Sequence, residues 1–417
     1  MAAEGSRLPP EIRPFVWSIV AAQVLVQMGG FTLPALLPTY IADWDLTKTE
    51  AGWLIGIFFA AYVATVPVLV ALTDRVPTRL VYLVGATATA AAHFGFALMA
   101  DGFWSGLALR AVAGVGWAGC YMPGLKAIAD TLEGNAQSRA VSMHAAGVGV
   151  SGAASFAVAG MIDGWFGPTA PFLFGGFSGV GALLLAWRVM PARLPDRPRA
   201  ANPAALLDFR PVFRNRRAMA WIAGYTVHTW ELAALRAWGV TFLTAAFSRM
   251  EAPAWLPAPA VLFTTAGLVG IVVSITGNET AQRYGRTRVV TAAMSAAAVL
   301  SLLTGWAIAG PVLLATLLVI VWNATIYLDS SALTAGTVQA ADPALRGATM
   351  GLHSMCGYAG GFLGPVGVGL ALDFAAGDPV LGWGLGFGHL ALVTLPGLVV
   401  LRWLGRRQDE RMRSQGQ

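Results

Sequence analysis

Two stretches of this chain place ionisable side chains inside otherwise apolar sequence. The first runs Tyr225-Thr226-Val227-His228-Thr229-Trp230-Glu231-Leu232-Ala233-Ala234-Leu235-Arg236-Ala237-Trp238. His228 and Glu231 are three residues apart, so on a helix they share a face and can share a proton. A carboxyl group held away from water is cheaper protonated, and an imidazole changes charge near neutrality. Together they have the properties of a group that loads a proton and releases it again. The same residues also allow a structural reading, with Glu231 paired to Arg236 or Arg110. Arg236 and Trp238 lie nearer the end of the stretch, as a gate or as side chains reaching for an interface.

The second stretch is Arg110-Ala111-Val112-Ala113-Gly114-Val115-Gly116-Trp117-Ala118, followed by Tyr121. Arg110, Gly114, Trp117 and Tyr121 recur at helical spacing on one face. At about 1.5 Å per residue, Arg110 lies about 9 Å inside its apolar segment. A charge at that depth faces the interior of a helix bundle and finds a partner there. Arg110 reads as a substrate or coupling residue, or as a structural arginine tied to backbone carbonyls.

Such residues need membrane-crossing helices to hold them, and the composition supplies the material. The chain has 417 residues, 56% hydrophobic and 12% charged, with a mean hydropathy of +0.64; soluble domains are about 25% charged. The apolar runs predict twelve spans, at about 15–38, 51–72, 80–100, 104–125, 140–162, 169–190, 218–240, 258–277, 288–309, 311–334, 347–370 and 381–403. Counting about 1.5 Å per residue from Arg217 puts His228 about 16 Å and Glu231 about 21 Å deep, near mid-bilayer. Trp17, Trp44, Trp53, Trp104, Trp165, Trp187, Trp221, Trp255, Trp306, Trp383 and Trp403 fall near the expected ends, where interfacial aromatic belts form. The basic, proline-rich stretch 191–217 is too polar to span and reads as a flexible connector, with Phe209 to Phe213 as a possible surface helix. The expected organisation is therefore 1–190, a connector at 191–217, and 218–417.

A repeat supports that division. Thr73-Asp74-Arg75-Val76-Pro77-Thr78-Arg79 follows span two, and roughly 208 residues later Gln282-Arg283-Tyr284-Gly285-Arg286-Thr287-Arg288 follows span eight. Arg139-Ala140-Val141-Ser142-Met143 before span five likewise matches Arg346-Gly347-Ala348-Thr349-Met350 before span eleven. The two separations agree within a residue, as a parallel duplication requires.

The paired turns resemble the loop between helices two and three, and its copy between eight and nine, of the major facilitator superfamily, with the pattern Gly-x-x-x-Asp-Arg-x-Gly-Arg-Lys. Asp74, Arg75 and Arg79 are kept; Val70 replaces the leading glycine and Pro77-Thr78 replaces Gly-Arg. The second copy keeps Arg283, Gly285 and Arg286, with Gln282 in place of the acid. Span four resembles the family's Arg-x-x-Gln-Gly-x-Gly-Ala-Ala, with Ala113 for the glutamine and Trp117 for the first alanine. The resemblance implies an all-α membrane protein, twelve transmembrane helices in two six-helix pseudo-symmetric bundles. It implies that spans one, four, seven and ten line a central cavity. Gln27, Arg110, Trp117, Tyr121, Trp230, Asn323 and Tyr327 are then substrate candidates, and Glu231, His228 and Arg110 proton-coupling candidates. Asp74, Arg75, Arg79, Arg283 and Arg286 become gating candidates. Gly360-Gly361-Phe362-Leu363-Gly364-Pro365 in span eleven is similar to an element of span five in drug-proton antiporters, whereas Gly147-Val148-Gly149-Val150-Ser151-Gly152 in span five lacks its proline.

Charge sets the expected orientation. Of the 27 basic residues, all but Lys48, Arg110, Arg236 and Arg249 fall on segments that this arrangement places in the cytoplasm. The bias puts both termini there, and it spreads the positive charge over short loops instead of one nucleic-acid-binding face. Cys120 and Cys356 form no metal or disulfide pattern. Arg7 and Arg13 precede an apolar run too long for a signal core, so it reads as an uncleaved first helix. His93, His144, His353 and His389 read as core or interface histidines.

No phosphate loop, Gly-x-Ser-x-Gly turn or metal-carboxylate set is present in the sequence. The expectation is a non-enzymatic secondary transporter without cofactor or metal, acting as a monomer in the bacterial inner membrane. Its substrate would be a small polar or anionic organic solute, moved by alternating access with protons as the coupling ion and lipid as surroundings. Proton-coupled drug or metabolite efflux is the main alternative, and a non-transporting receptor or scaffold the remote one.

Overall fold

The first span is two helices, because of a proline. Pro34 has no N–H to donate and its ring crowds the carbonyl four residues back, at Gly30. The chain accordingly breaks between α1 (Arg13–Gln27) and α2 (Thr32–Asp43). The freed groups are satisfied locally: Gly30 N–H donates to Gln27 O (2.8 Å) and Thr32 N–H to Gly29 O (3.2 Å). Phe31 N–H donates across to Ser155 Oγ, 3.1 Å away. A single continuous helix over 15–38 is therefore corrected to a broken one, with its polar backbone sealed by a side chain.

The computed structural model describes residues 10–192, 208–250 and 252–415. The other helices are α3 (Lys48–Leu72), α4 (Thr78–Met99), α5 (Phe103–Thr131), α6 (Gly134–Phe166), α7 (Ala170–Val189), α8 (Arg210–Arg214) and α9 (Arg216–Arg249). They continue with α10 (Pro259–Tyr284), α11 (Arg286–Trp306), α12 (Val312–Ala340), α13 (Arg346–Phe374) and α14 (Pro379–Gln415). The first expected span falls on α1 and α2 and each of the others on one helix, six spans before α8 and six after, in an all-α multi-pass fold. Among the described residues, ten helical segments are long and apolar enough to cross a membrane. The long helices outside that set are α5 and α9, the two that carry Arg110 and the His228–Glu231 stretch.

Contacts divide the chain into two units, Met1–Thr32 with Ala61–Pro203, and Leu33–Ala60 with Ala204–Gln417. In the first unit Val16, Ile19, Tyr82, Cys120, Ile128, Ala182 and Met190 form a buried apolar core. Helices α4 and α5 cross at glycines: a side chain on Gly85 would sit 2.7 Å from Gly119 C and 2.8 Å from Gly116 O. In lipid, where apolar burial drives no association, such close backbone approach supplies the packing.

In the second unit Trp221, Ala281, Val290, Met294, Leu333 and Leu401 form one core. Trp238, Phe242, Trp383, Phe387 and Trp322 form a second cluster, of edge-to-face and tilted rings, joining α9, α12 and α14. Trp221 and Trp383, expected at an interface, are buried instead, since each fills space between helices. Trp17, Trp104, Trp165, Trp187 and Trp255 are exposed, as belt residues should be.

The connector is partly helical. Of it, 193–207 lie outside the described residues, but Arg210–Arg214 form a turn of helix. Val212 anchors it against Ile222 and Leu352, a buried contact that a free linker would lack. Asn215 then caps α9, its Oδ1 accepting from Ala218 N (3.1 Å) while its Nδ2 donates to Ala340 O (2.8 Å).

Candidate functional site

Helices α9 and α12 are locked together by polar side chains buried between them. His228 Nδ1 lies 2.7 Å from Asp329 Oδ1. One helical turn along, Trp322 Nε1 donates to Glu231 Oε1 at 2.6 Å. His228, Glu231 and Asp329 are each at most 4% exposed. The residue numbers rise on α9 as they fall on α12, so the helices run antiparallel and the contacts form successive layers. The expectation that Glu231 meets a basic side chain is not what its hydrogen bond shows. An indole N–H holds it, and Arg236 donates instead to the Tyr327 hydroxyl, its guanidinium 5.6 Å from that ring's centroid.

Asp329 is a site residue that the sequence analysis does not single out; on α12 it names Asn323 and Tyr327 and not the acid two residues beyond. The signal was present: a carboxylate deep inside an uncharged run is costly in a membrane unless it has a partner. Its partner lies on another helix, where spacing gives no hint.

Aromatic and hydroxyl groups extend this cluster. The Tyr225 ring stacks on His228 (centroids 5.8 Å apart) and on His353 (3.8 Å). His353 Nδ1 is 3.1 Å from Thr337 Oγ1 and its Nε2 is 3.4 Å from Thr334 Oγ1. Trp230 Nε1 donates to His389 Nε2 at 3.3 Å. Asn323 Nδ2 donates to Ala266 O at 2.7 Å, which ties α12 to α10 and gives this candidate a structural bond. Close passage of α13 against α9 is made possible by Gly360 and Gly364, where side chains would meet the carbonyls of Thr226 and Trp230.

In the first unit, α5 presents a second polar and aromatic set. Arg110 is 3% exposed and Trp117 5%. The Trp117 ring lies 4.6 Å from Tyr62 and stacks on Tyr121 at 5.7 Å. Tyr121 stacks in turn on His144, also at 5.7 Å. Gln23 Nε2 donates to Gln27 Oε1 (3.3 Å) just before the break in the first span. The structure thus gathers Trp117 and Tyr121 on one side-chain stack and places Gln27 beside the broken helix, which also packs Phe31 near Gly152.

The turn residues have local partners. Asp74 lies 3.5 Å from Lys126 Nζ, which also holds Asp130 at 2.9 Å. Arg79 lies over Trp187, 5.9 Å from its centroid, and Arg283 over Tyr284 at 5.3 Å. Arg75 is exposed. Arg286 donates to Asn278 Oδ1 (3.1 Å) and Ala332 O (2.9 Å), fixing the second turn against α12. Among the described residues, no three His, Cys, Asp or Glu side chains converge as a metal site.

Similarities to known proteins agree with this architecture. The model of the Major Facilitator Superfamily matches residues 19–365. The fold is similar to a bacterial homologue of the human lysosomal transporter Spinster in an inward-facing and occupied conformation. Identity is 15% and the TM-score 0.75, over 94% of this chain and 96% of that one. It is similar to the nucleoside transporter NupG at 13% identity and a TM-score of 0.74, over 94% and 99%. The human organic anion transporter MFSD10 (TETRAN) is 20% identical with a TM-score of 0.68, over 94% and 100%. No curated protein matches the sequence.

Proposed function

Because the chain belongs to the Major Facilitator Superfamily, a family of secondary transporters working by alternating access, we propose that it moves a small polar or anionic organic solute coupled to protons. The observation that carries this reading is the buried set His228, Glu231 and Asp329 between α9 and α12. Two acids and a base buried in adjacent layers of one helix pair are expensive as mere glue. They are useful where a proton must be taken up and given back, because imidazole and carboxylate exchange charge as their surroundings change.

Arg110 is the anion-recognising residue in this reading. Its guanidinium can hold a carboxylate or phosphate through two parallel hydrogen bonds, and the stacked rings of Trp117 and Tyr121 follow about two and three helical turns further along the same face of α5. Gln27, Trp230, Asn323 and Tyr327 complete the proposed substrate-contacting set. Asp74, Arg75, Arg79, Arg283 and Arg286 are the proposed gating residues of the two related turns. The orientation with both termini in the cytoplasm of a bacterial cell belongs to the same proposal and rests on the arginine distribution; action as a monomer is proposed with it.

The test is uptake into proteoliposomes under an imposed pH gradient, after organic anions, cations and neutral polar solutes have been screened for thermal stabilisation of the reconstituted chain. The reading expects a stabilising anion or polar solute whose accumulation exceeds equilibrium and collapses with a protonophore. A stabilising solute that only equilibrates across the membrane would overturn proton coupling.

A further inference from the structure

The acid missed in the sequence is the one best placed to continue a proton path. Three layers follow one another along the second unit, beginning with Glu231 and Trp322. Toward Arg216 on α9 and Ala340 on α12 come His228 and Asp329. His353 and Thr337 follow, joined to His228 by the Tyr225 ring stacked on both imidazoles. At about 1.5 Å of rise per residue, the step from Glu231 to His228 is about 4.5 Å along the helix. Glu231 and Asp329 are close enough to interact electrostatically, as are His228 and His353.

Charge counting within this cluster gives the two acids different roles. With both carboxylates ionised and His228 protonated, one negative charge is left over; one further proton neutralises the cluster. In a membrane interior the neutral state is strongly favoured. The imidazolium can offset only one carboxylate at a time, and Asp329 is the one it touches. Other ionisable groups on the surrounding helices are Arg236 on α9, engaged with Tyr327 of α12, His353 on α13, and His389 on α14, engaged with Trp230.

We propose that Asp329 is a proton-binding carboxylate in series with Glu231, with His228 as its counter-ion and His353 as the neighbouring group toward the Arg216 end of α9. The proton leaves the Glu231 carboxyl oxygen and is accepted by the Asp329 carboxylate; Glu231 becomes the ionised acid and the cluster's net charge is unchanged by the step. This rests on the proton-coupled reading of the same site, and it adds a second obligatory acid to it.

Infrared difference spectroscopy of the full-length chain in lipid nanodiscs tests it without a substrate. Between acid and alkaline pH the wild type should show two carboxylic-acid C=O bands from the buried acids. Glu231→Gln should remove one and Asp329→Asn the other, while Asp329→Glu, which keeps a titratable group, should move the second band without abolishing it. Size-exclusion elution and the amide band report whether each variant is folded. If the carboxylic-acid bands of a folded Asp329→Asn chain are those of the wild type, Asp329 is a permanently ionised structural partner and the proposal fails. If Asp329→Asn does not fold, an unmoved band in Asp329→Glu overturns it equally. Substrate-driven proton flux is a separate readout: its absence from the wild type, with both bands present, would remove the transport reading and leave the titration of Asp329 standing.

Discussion

Asp373 caps the start of α3 with both carboxylate oxygens. Its Oδ1 accepts from Lys48 N (2.9 Å) and its Oδ2 from Thr49 N (2.8 Å). The first N–H groups of a helix have no partner within it, and the helix dipole makes them attractive to an anion. Around this cap the approach of α3 to α13 is close: a side chain on Gly52 would come within 2.6 Å of Pro365 O. Trp53 meets Phe362 edge to face at 4.9 Å, and Phe59 stacks on Tyr358 at 5.9 Å. These contacts explain why 33–60 belongs with the C-terminal unit although it precedes most of the N-terminal one.

Removing the cap should loosen the start of α3. Loss of an N-cap costs about 1 kcal/mol, so Asp373→Ala should speed hydrogen exchange at the amides of Lys48 and Thr49 by roughly 5-fold. Mass spectrometry of the peptide covering these residues reads it directly. Unchanged exchange there would mean that the cap adds nothing to the helix end.

Arg110 should be sensitive to geometry as well as charge. Arg110→Lys keeps the charge and loses the planar fork, so binding of the stabilising anion should weaken by about 10-fold, and Arg110→Gln should weaken it further. The measurement is solute affinity from stabilisation curves. Equal affinity in both variants would assign Arg110 a structural or coupling role.

Gly360 and Gly351 lie on the same helix and should respond oppositely to alanine. At Gly360 the added carbon would meet the Thr226 carbonyl of α9, with Thr229 Oγ1 3.1 Å away; overpacking costs about 1–3 kcal/mol. At Gly351 the nearest atom is Phe209 Cε1, 3.8 Å away, and the gain in helix preference is up to about 1 kcal/mol. Gly360→Ala should lower the midpoint of thermal unfolding and Gly351→Ala leave it level or raise it. The reverse order would contradict the close α9–α13 crossing.

Trp322→Phe should change when the site loads its proton. The indole donates to the Glu231 carboxylate and so favours its ionised form; without that donor the protonated form gains. The pH profile of proton-coupled uptake should move to higher pH, while substrate affinity at acid pH changes less. A profile unmoved in a folded variant would separate Glu231 from the coupling step.

Much of this was legible in the sequence, for physical reasons that also mark where reading stopped. A span is a local property, twenty or so apolar residues in a row, and each expected span but the broken first one lies on a single helix. Arg110, His228 and Glu231 stood out because charge is rare in such runs. The break at Gly30 was legible in principle from Pro34 four residues on, since the clash is local. By contrast, the partners of Glu231 and His228 lie on α12, and no spacing rule links positions so far apart in the chain. Trp221 and Trp383 misled for the same reason: nearness to a span end is visible in sequence, but burial by another helix is not.

The most direct test of proton coupling is solute-driven proton movement in proteoliposomes with a fixed protein orientation, comparing the wild type with Glu231→Gln. Glutamine keeps the shape and can still accept from the Trp322 indole, but it cannot titrate. Addition of the transported solute should shift the pH of a lightly buffered suspension with the wild type and not with the variant, whose accumulation under a pH gradient should also vanish. Proton movement at wild-type stoichiometry through Glu231→Gln would contradict the account.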